Sequence, residues 1–437
     1  MKDQHEGKSF KKYAFNTGWL FAEQLFRIIS SLLVGVWVAR YLGPEQYGVY
    51  SYAVAFVALF AAIAHLGLQG IVVRELINGT DQQRVLGTAF WMQVVGGIVV
   101  IALMGSVLPF TSNDARTNLY IMIIAAGLLF QSFQVIDYYF QSIVESKYVS
   151  ACRLTQLFIS SAAKIILITA EADLIYFVLI TFLDQITLAA ALAYAYKLKH
   201  PQSPFYRCFR RARAKSLFAE SWPMIVSGLV VMVYMKIDQV MIKELLGANA
   251  VGVYSAAVRL AEAWYFVPII ISQSLFPAII SAKSQGEQLY RLRLQRLLNL
   301  MMVLSVLVAV TVTFTSDFLV AILFGSAYAG AGAVLSIQVW AGIFVASGLV
   351  SSKWFIMEKL QRYLMYRSTA GAILNIALNL ILIPSYGIIG SAVATLVSQF
   401  VAAIFLNAFF SNTRAMFILQ LRSILGFGLL GNQLKDS

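Results

Sequence analysis

Charge is scarce in this 437-residue chain: Asp, Glu, Lys and Arg make up 12% of it, against 60% hydrophobic residues and a mean hydropathy of +0.76. Soluble domains carry about a quarter charged residues, so a water-soluble fold is excluded. Cysteine is scarcer still. Cys152 and Cys208 lie in basic stretches expected to face the cytoplasm, where thiols stay reduced, and no disulfide follows from them. His5, His65 and His200 are far apart and have no ligand-like spacing with either cysteine, so neither a metal site nor a cofactor is expected. Also lacking are an Asp-x-Asp pair, a glycine-rich phosphate loop, a Ser-His-Asp set and any sizeable outer loop. The chain is therefore not read as an enzyme, and with no nucleotide-binding motif it is not read as a primary pump.

What the chain has in abundance is apolar length. A helix needs about 20 mostly apolar residues to cross a bilayer, and continuous runs of that length recur from Phe15 onward. The alternation of a β-barrel is missing, which leaves helices. Hydropathy windows place twelve spans, at 15–40, 47–71, 85–108, 117–141, 153–171, 174–197, 221–246, 250–276, 297–319, 331–352, 363–384 and 388–410. The fold class is all-α and polytopic. The first run is too long for a signal-peptide core and is read as a retained span. The stretch 416–430, broken by Arg422 and glycines, is read as interfacial.

Of the 33 Lys and Arg, only Arg40, Arg116 and Lys243 fall on the side opposite the N-terminus, and Arg27, Lys164, Lys236 and Arg259 lie within spans. The rest share the N-terminal side, which the positive-inside rule makes cytoplasmic for both termini. The net charge of +13 is thus topological and not a footprint for nucleic acid. The basic loop Lys197 to Lys215 fixes topology, with anionic-lipid contact as its sharper alternative.

After span one the sequence runs Leu42-Gly43-Pro44-Glu45-Gln46-Tyr47-Gly48-Val49-Tyr50-Ser51-Tyr52-Ala53-Val54, and after span seven Leu246-Gly247-Ala248-Asn249-Ala250-Val251-Gly252-Val253-Tyr254-Ser255-Ala256-Ala257-Val258. The pattern L-G-x4-G-V-Y-S-x-A-V recurs at an offset of 204 (246 minus 42). Six spans separate the copies, so the halves 1–216 and 217–437 are parallel repeats, two six-helix bundles with a site between them, as in alternating-access transporters. The glycines are expected to turn the chain sharply and the repeated Tyr to sit at the membrane interface.

The run from Ala39 to Gly48, with Leu66-Gly67-Leu68 and Arg74-Glu75 ending span two, resembles the polysaccharide-exporter branch of the multidrug/oligosaccharidyl-lipid/polysaccharide superfamily. Within that branch it is similar to O-antigen flippases of the Wzx type. The resemblance implies movement of an undecaprenyl-diphosphate-linked oligosaccharide repeat to the outer leaflet of the inner membrane, coupled to a proton or sodium gradient. Membrane lipids and a polysaccharide polymerase are the partners it suggests. The two additional spans usual in peptidoglycan-precursor flippases are not found. Competing readings are a cation-coupled small-molecule or multidrug exporter and, from another class, a membrane glycosyltransferase or polymerase.

Charges inside spans cost about 2.5 to 3.5 kcal/mol at the helix centre and should face protein or water. Those singled out are Glu23, Arg27, Asp137, Lys164, Asp184, Lys236, Asp238, Arg259 and Glu262. Glu23 with Arg27, and Arg259 with Glu262, share helix faces and could neutralise each other. Lys236 and Asp238 could not. At the offset of 204, Glu23 maps to Ser227, Arg27 to Val231, Asp238 to Val34 and Arg259 to Ala55, so the scaffold repeats and the charges do not. Arg27, Arg259, Lys164 and Lys236 are the candidates for diphosphate contact during translocation. Glu23, Asp184, Asp238 and Glu262 are those for ion coupling or charge pairing. Asp137 is placed at the interface. Pro268 and Pro277 are expected to kink span eight beside Arg259 and Glu262.

Overall fold

The computed structural model describes residues 2–79, 81–200 and 204–426. Fourteen α-helices are described: α1 Lys2–His65, α2 Gln69–Ile77, α3 Gln82–Val107, α4 Ala115–Ala126, α5 Val135–Ser142, α6 Lys147–Thr169, α7 Leu174–Lys199, α8 Arg211–Leu246, α9 Ala248–Ala263, α10 Phe266–Gln285, α11 Glu287–Leu323, α12 Ala331–Met357, α13 Gln361–Ala403 and α14 Arg414–Ile424. No strand occurs among the described residues.

Among the described residues, ten helical stretches are long and apolar enough to cross a membrane. Two of them, Glu23–Ile77 and Gln361–Ala408, are far longer than one crossing requires, and each is broken by a glycine in a backbone conformation closed to other residues. Gly43 (φ 68°, ψ 170°) interrupts α1 and Gly387 (φ 60°, ψ −142°) interrupts α13. Counting both limbs of each, the twelve expected crossings are accounted for. Many large side chains point outward where acyl chains replace water, among them Phe314, Phe318, Leu380 and Ile381. Span eight is two helices, α9 and α10, that meet at Trp264 and Tyr265. Pro268 falls in the first turn of α10, where a missing N–H costs nothing, and Pro277 is carried inside the helix. The C-terminal stretch is partly described: α14, at 11 residues, is too short to cross, and 427–430 lies outside the described residues.

Two compact units partition the chain: 1–42 with 49–237, and 43–48 with 238–437. The boundary between them falls inside α8 (36 residues), between Ile237 and Asp238.

In the first unit the core gathers Leu68, Leu86, Val135, Phe140, Leu192 and Phe205 around α2, α3, α5 and α7. Helix α3 starts where it does because Asp81 caps it, accepting from the Arg84 N–H at 3.3 Å. Asp114 does the same for α4 through the Thr117 N–H. The C-terminal part of α2 is tied to α8 by Arg213 with Glu75 (2.8 Å) and Arg74 with Glu220 (2.5 Å).

In the second unit Tyr290, Leu294, Leu298, Met301, Val350 and Phe355 form the core. Polar bonds seat α14 on α11: Gln295 donates to the Leu419 carbonyl and the Ser423 hydroxyl, which itself donates to Asn299.

The two copies of the repeated motif meet within this second unit. Gly43 and Gly247 share one conformation (φ 68° and 88°, ψ near 175°), as equivalent positions should. A side chain at Gly48 would overlap the Ala248 carbonyl oxygen, and one at Gly252 would overlap that of Pro44. Pro44 and Ala248, like Gly48 and Gly252, are 204 apart, so the crossing is reciprocal, as a local pseudo-two-fold axis requires. The motif is therefore a glycine-dependent crossing as well as a turn. Both tyrosines of the repeat are held by protein partners: Tyr254 is buried, and Tyr50 donates or accepts at Thr181 Oγ1 (2.8 Å). Burial drives each hydroxyl to find a polar partner.

Candidate functional site

Most of the charges singled out from sequence are neutralised locally. Glu23, buried, lies 3.2 Å from Arg27 one turn along α1, while Arg27 keeps about half its side chain exposed. Lys164 of α6 reaches Asp184 of α7 at 3.4 Å, and the same carboxylate oxygen accepts from Ser160 at 2.9 Å. Asp137 is buried within the protein on α5, paired with Arg153 at 2.8 Å and bonded by Gln141 at 3.0 Å. Arg259 points at the Tyr47 hydroxyl (3.2 Å) rather than at Glu262, so the expected pairing on α9 does not form. Glu262 is partly buried near the break between α9 and α10. Lys236 is partly buried on α8.

Asp238 is different. It is buried, on α8, and no Lys or Arg among the described residues of its unit lies within ion-pair distance. Three neutral side chains bond it instead. Oδ2 accepts from the Thr395 hydroxyl (2.5 Å) and the Tyr254 hydroxyl (2.9 Å), and Oδ1 accepts from Asn379 Nδ2 (2.7 Å). The Asn379 amide also donates to Asn375 Oδ1 (3.1 Å), and Asn375 donates to Thr395 (3.5 Å). Asn379 Oδ1 and the buried Ser391 Oγ have no hydrogen-bond partner among the described residues.

The broken helix builds this arrangement. Asn375 and Asn379, four apart, share one face of the first limb of α13, and Ser391 and Thr395, four apart, share one face of the second. The break at Gly387, behind Pro384, folds the limbs together: a side chain at Gly390 would overlap the Leu382 carbonyl. Both limbs then reach Asp238, the first through Asn379 and the second through Thr395, and Tyr254 of α9 joins Thr395 on Oδ2.

The donor set is one carboxylate and neutral amide and hydroxyl oxygens. Hard oxygens with a single negative charge suit a proton or a small monovalent cation. A charge left unpaired in such a place costs several kcal/mol, so the cluster gains from holding a positive one. The residues Asp238, Asn375, Asn379, Ser391, Thr395 and Tyr254 fit that role. Sequence reasoning found only the aspartate. The missed signal is the i, i+4 spacing of amides and hydroxyls inside apolar spans. Arg367 was passed over too; it is buried on α13 and donates to Ser351 (2.7 Å) and Ser352 (2.6 Å). The cluster is also unduplicated: position 34 is Val, and Tyr50 meets Thr181 where Tyr254 meets a carboxylate.

In the first unit a cavity of about 540 Å³ has a mostly apolar wall, with Leu68, Ile71 and Met224, into which His65, Gln69, Arg74, Gln134 and Tyr138 bring polar groups. It has amides, a guanidinium and a phenol, the groups that bind hydroxyl-rich ligands.

Comparison with known proteins follows this geometry. The family described as polysaccharide biosynthesis protein matches residues 14–283, and one described as MatE matches 223–381. A probable low-salt glycan biosynthesis flippase of Haloferax volcanii is 25% identical over 394 residues, covering 87% of this chain and 79% of its own. A putative O-antigen transporter of Shigella flexneri is 25% identical over 336 residues, 72% of this chain and 77% of its own. Among solved structures, a lipid II flippase in an inward closed conformation aligns with TM-score 0.72 at 14% identity, over 96% of this chain and 93% of that one. An inward-facing multidrug transporter of the MATE family aligns with TM-score 0.66 at 13% identity, over 93% and 96%. At such identities the structural likeness is one of fold.

Proposed function

The chain belongs to the family of polysaccharide biosynthesis proteins, and on that premise we propose that it is a flippase for an undecaprenyl-diphosphate-linked oligosaccharide repeat. The repeat, of O-antigen or similar surface polysaccharide, moves from the inner to the outer leaflet of the cytoplasmic membrane by alternating access. Both termini are cytoplasmic, and a polymerase on the far side consumes the product. The names of the two sequence relatives support the substrate class.

The observation that carries the coupling is the buried, uncompensated Asp238 with its converging amides and hydroxyls. A proton or sodium ion entering from the outer side neutralises the carboxylate. Because ligands come from both limbs of α13, occupancy draws the limbs toward α8 and α9, and release loosens them. An ion gradient then biases which arrangement is populated. Arg27, half exposed, and Arg259 attract the diphosphate, and the cavity of the first unit, with its amides and phenol, receives sugar. Lys164 and Asp184 act as a structural pair that keeps α6 on α7.

Deleting the gene tests this reading. The expected result is loss of surface polysaccharide with build-up of the lipid-linked repeat on the inner leaflet, restored by the wild-type chain and not by Asp238→Asn. Intact polysaccharide together with new drug sensitivity would turn the reading to a small-molecule exporter. Should Arg27→Ala and Arg259→Ala both restore polysaccharide fully at normal protein levels, their assignment to the substrate is wrong.

A further inference from the structure

An apolar groove of about 1340 Å³ opens between α3 and the start of α8, wholly within the first unit. It exceeds the roughly 300–1,000 Å³ of ordinary small-molecule pockets. Trp91, Val95 and Val99 line it from one face of α3, at i, i+4 and i+8, and Phe218 and Ile225 line it from α8. From Trp91 to Val99 the wall runs about 12 Å at 1.5 Å per residue. The Trp91 indole N–H donates to the Tyr206 carbonyl at 2.7 Å, so the ring offers the groove only its apolar surface. Arg211 and Lys215 are part of the lining, one turn apart on α8.

Within α8 these two cations differ from Arg213. Arg213, on the same turns, is ion-paired with Glu75, and Arg74 with Glu220. Arg211 and Lys215 are exposed and have no ion pair among the described residues. They also stand in the first turns of a helix, where the backbone's positive end disfavours cations and favours an anion.

We propose that this groove binds the polyprenyl chain of a phosphate-headed carrier lipid, with Arg211 and Lys215 on the phosphate. The proposal rests on the flippase reading and adds the place where the lipid portion is held. One long chain fits a trough bounded by one face of α3 and one of α8. Two unpaired cations match a phosphomonoester or diphosphate head, which bears more charge than the phosphodiester of a two-chain phospholipid.

The test is native mass spectrometry of the purified full-length protein with undecaprenyl phosphate, uncharged polyprenol and phosphatidylglycerol. Undecaprenyl phosphate is expected to bind at least tenfold tighter than either comparator. The double substitution Arg211→Ala/Lys215→Ala should remove that preference, and Arg362→Ala should keep it. A photoreactive undecaprenyl phosphate on the unaltered protein should label 91–99 and 209–225. Equal binding of phosphatidylglycerol, labelling elsewhere, or an unaffected double variant would overturn the proposal. A protein that moves the glycolipid yet shows no such preference refutes the groove alone. Retained groove binding without any movement refutes the transport reading and leaves the groove standing.

Discussion

Asp238→Asn tests the coupling site with the least disturbance of shape. The carboxylate accepts three hydrogen bonds from Thr395, Tyr254 and Asn379, all within a buried cluster. Asp238→Ala would strand three buried donors at about 1–3 kcal/mol each, a loss on the order of 5 kcal/mol that endangers folding. The asparagine keeps one acceptor for Thr395 and Tyr254. Its amide meets the amide of Asn379, whose unpartnered Oδ1 can turn in to accept, so the expected cost is about 1–2 kcal/mol. What it removes is the charge. An ion at 100 times its dissociation constant stabilises the protein by about 2.7 kcal/mol. The wild type should therefore show a melting temperature that rises with sodium, or with proton activity at fixed sodium, while the variant should melt at a temperature independent of both. A variant that folds and keeps the full ion-dependent rise would refute the argument.

Other predictions follow from packing and charge. Gly48→Ala and Gly252→Ala each drive a methyl into a backbone carbonyl of the other motif copy, so both should abolish recoverable folded protein in detergent, whereas Gly105→Ala, with open space around it, should be neutral. Gly43→Ala meets no clash but holds a left-handed conformation, and a loss of about 1–2 kcal/mol is expected by thermal melting. Lys164→Ala should cost about 1–3 kcal/mol by leaving a partly buried Asp184, and the exchanged pair Lys164→Asp/Asp184→Lys should recover part of it in a double-mutant cycle. His200 accepts or donates at the Tyr139 hydroxyl (2.7 Å), and burial, then Lys199, lowers its pKa. Folding depresses this pKa, so its contribution is present above the unfolded value of about 6.5 and is lost as pH falls through the folded value; His200→Phe should flatten that part of the melting profile.

The span pattern and the repeat could be read from sequence because hydropathy and glycine spacing are local properties. The breaks at Gly43 and Gly387 fall where hydropathy left gaps between windows. Burial of Tyr254 and Asp137 was not legible, since an amphipathic ring or a carboxylate near a span end looks the same whether it meets headgroups or protein. The Asp238 cluster was half legible. The aspartate stands out in an apolar run, but Asn375, Asn379, Ser391 and Thr395 lie about 140 to 160 residues away and converge only because α13 folds at Gly387. Pairing was equally three-dimensional: Glu23 and Arg27 meet along one helix, as spacing implied, while Arg259 turns to Tyr47, 212 positions distant.

The most direct measurement is transbilayer movement of an undecaprenyl-diphosphate-linked oligosaccharide in proteoliposomes, with and without a proton or sodium gradient. The account predicts protein-dependent movement that the gradient accelerates in the wild type and leaves unchanged in Asp238→Asn. Movement of no such lipid, with gradient-driven drug transport in its place, would contradict it.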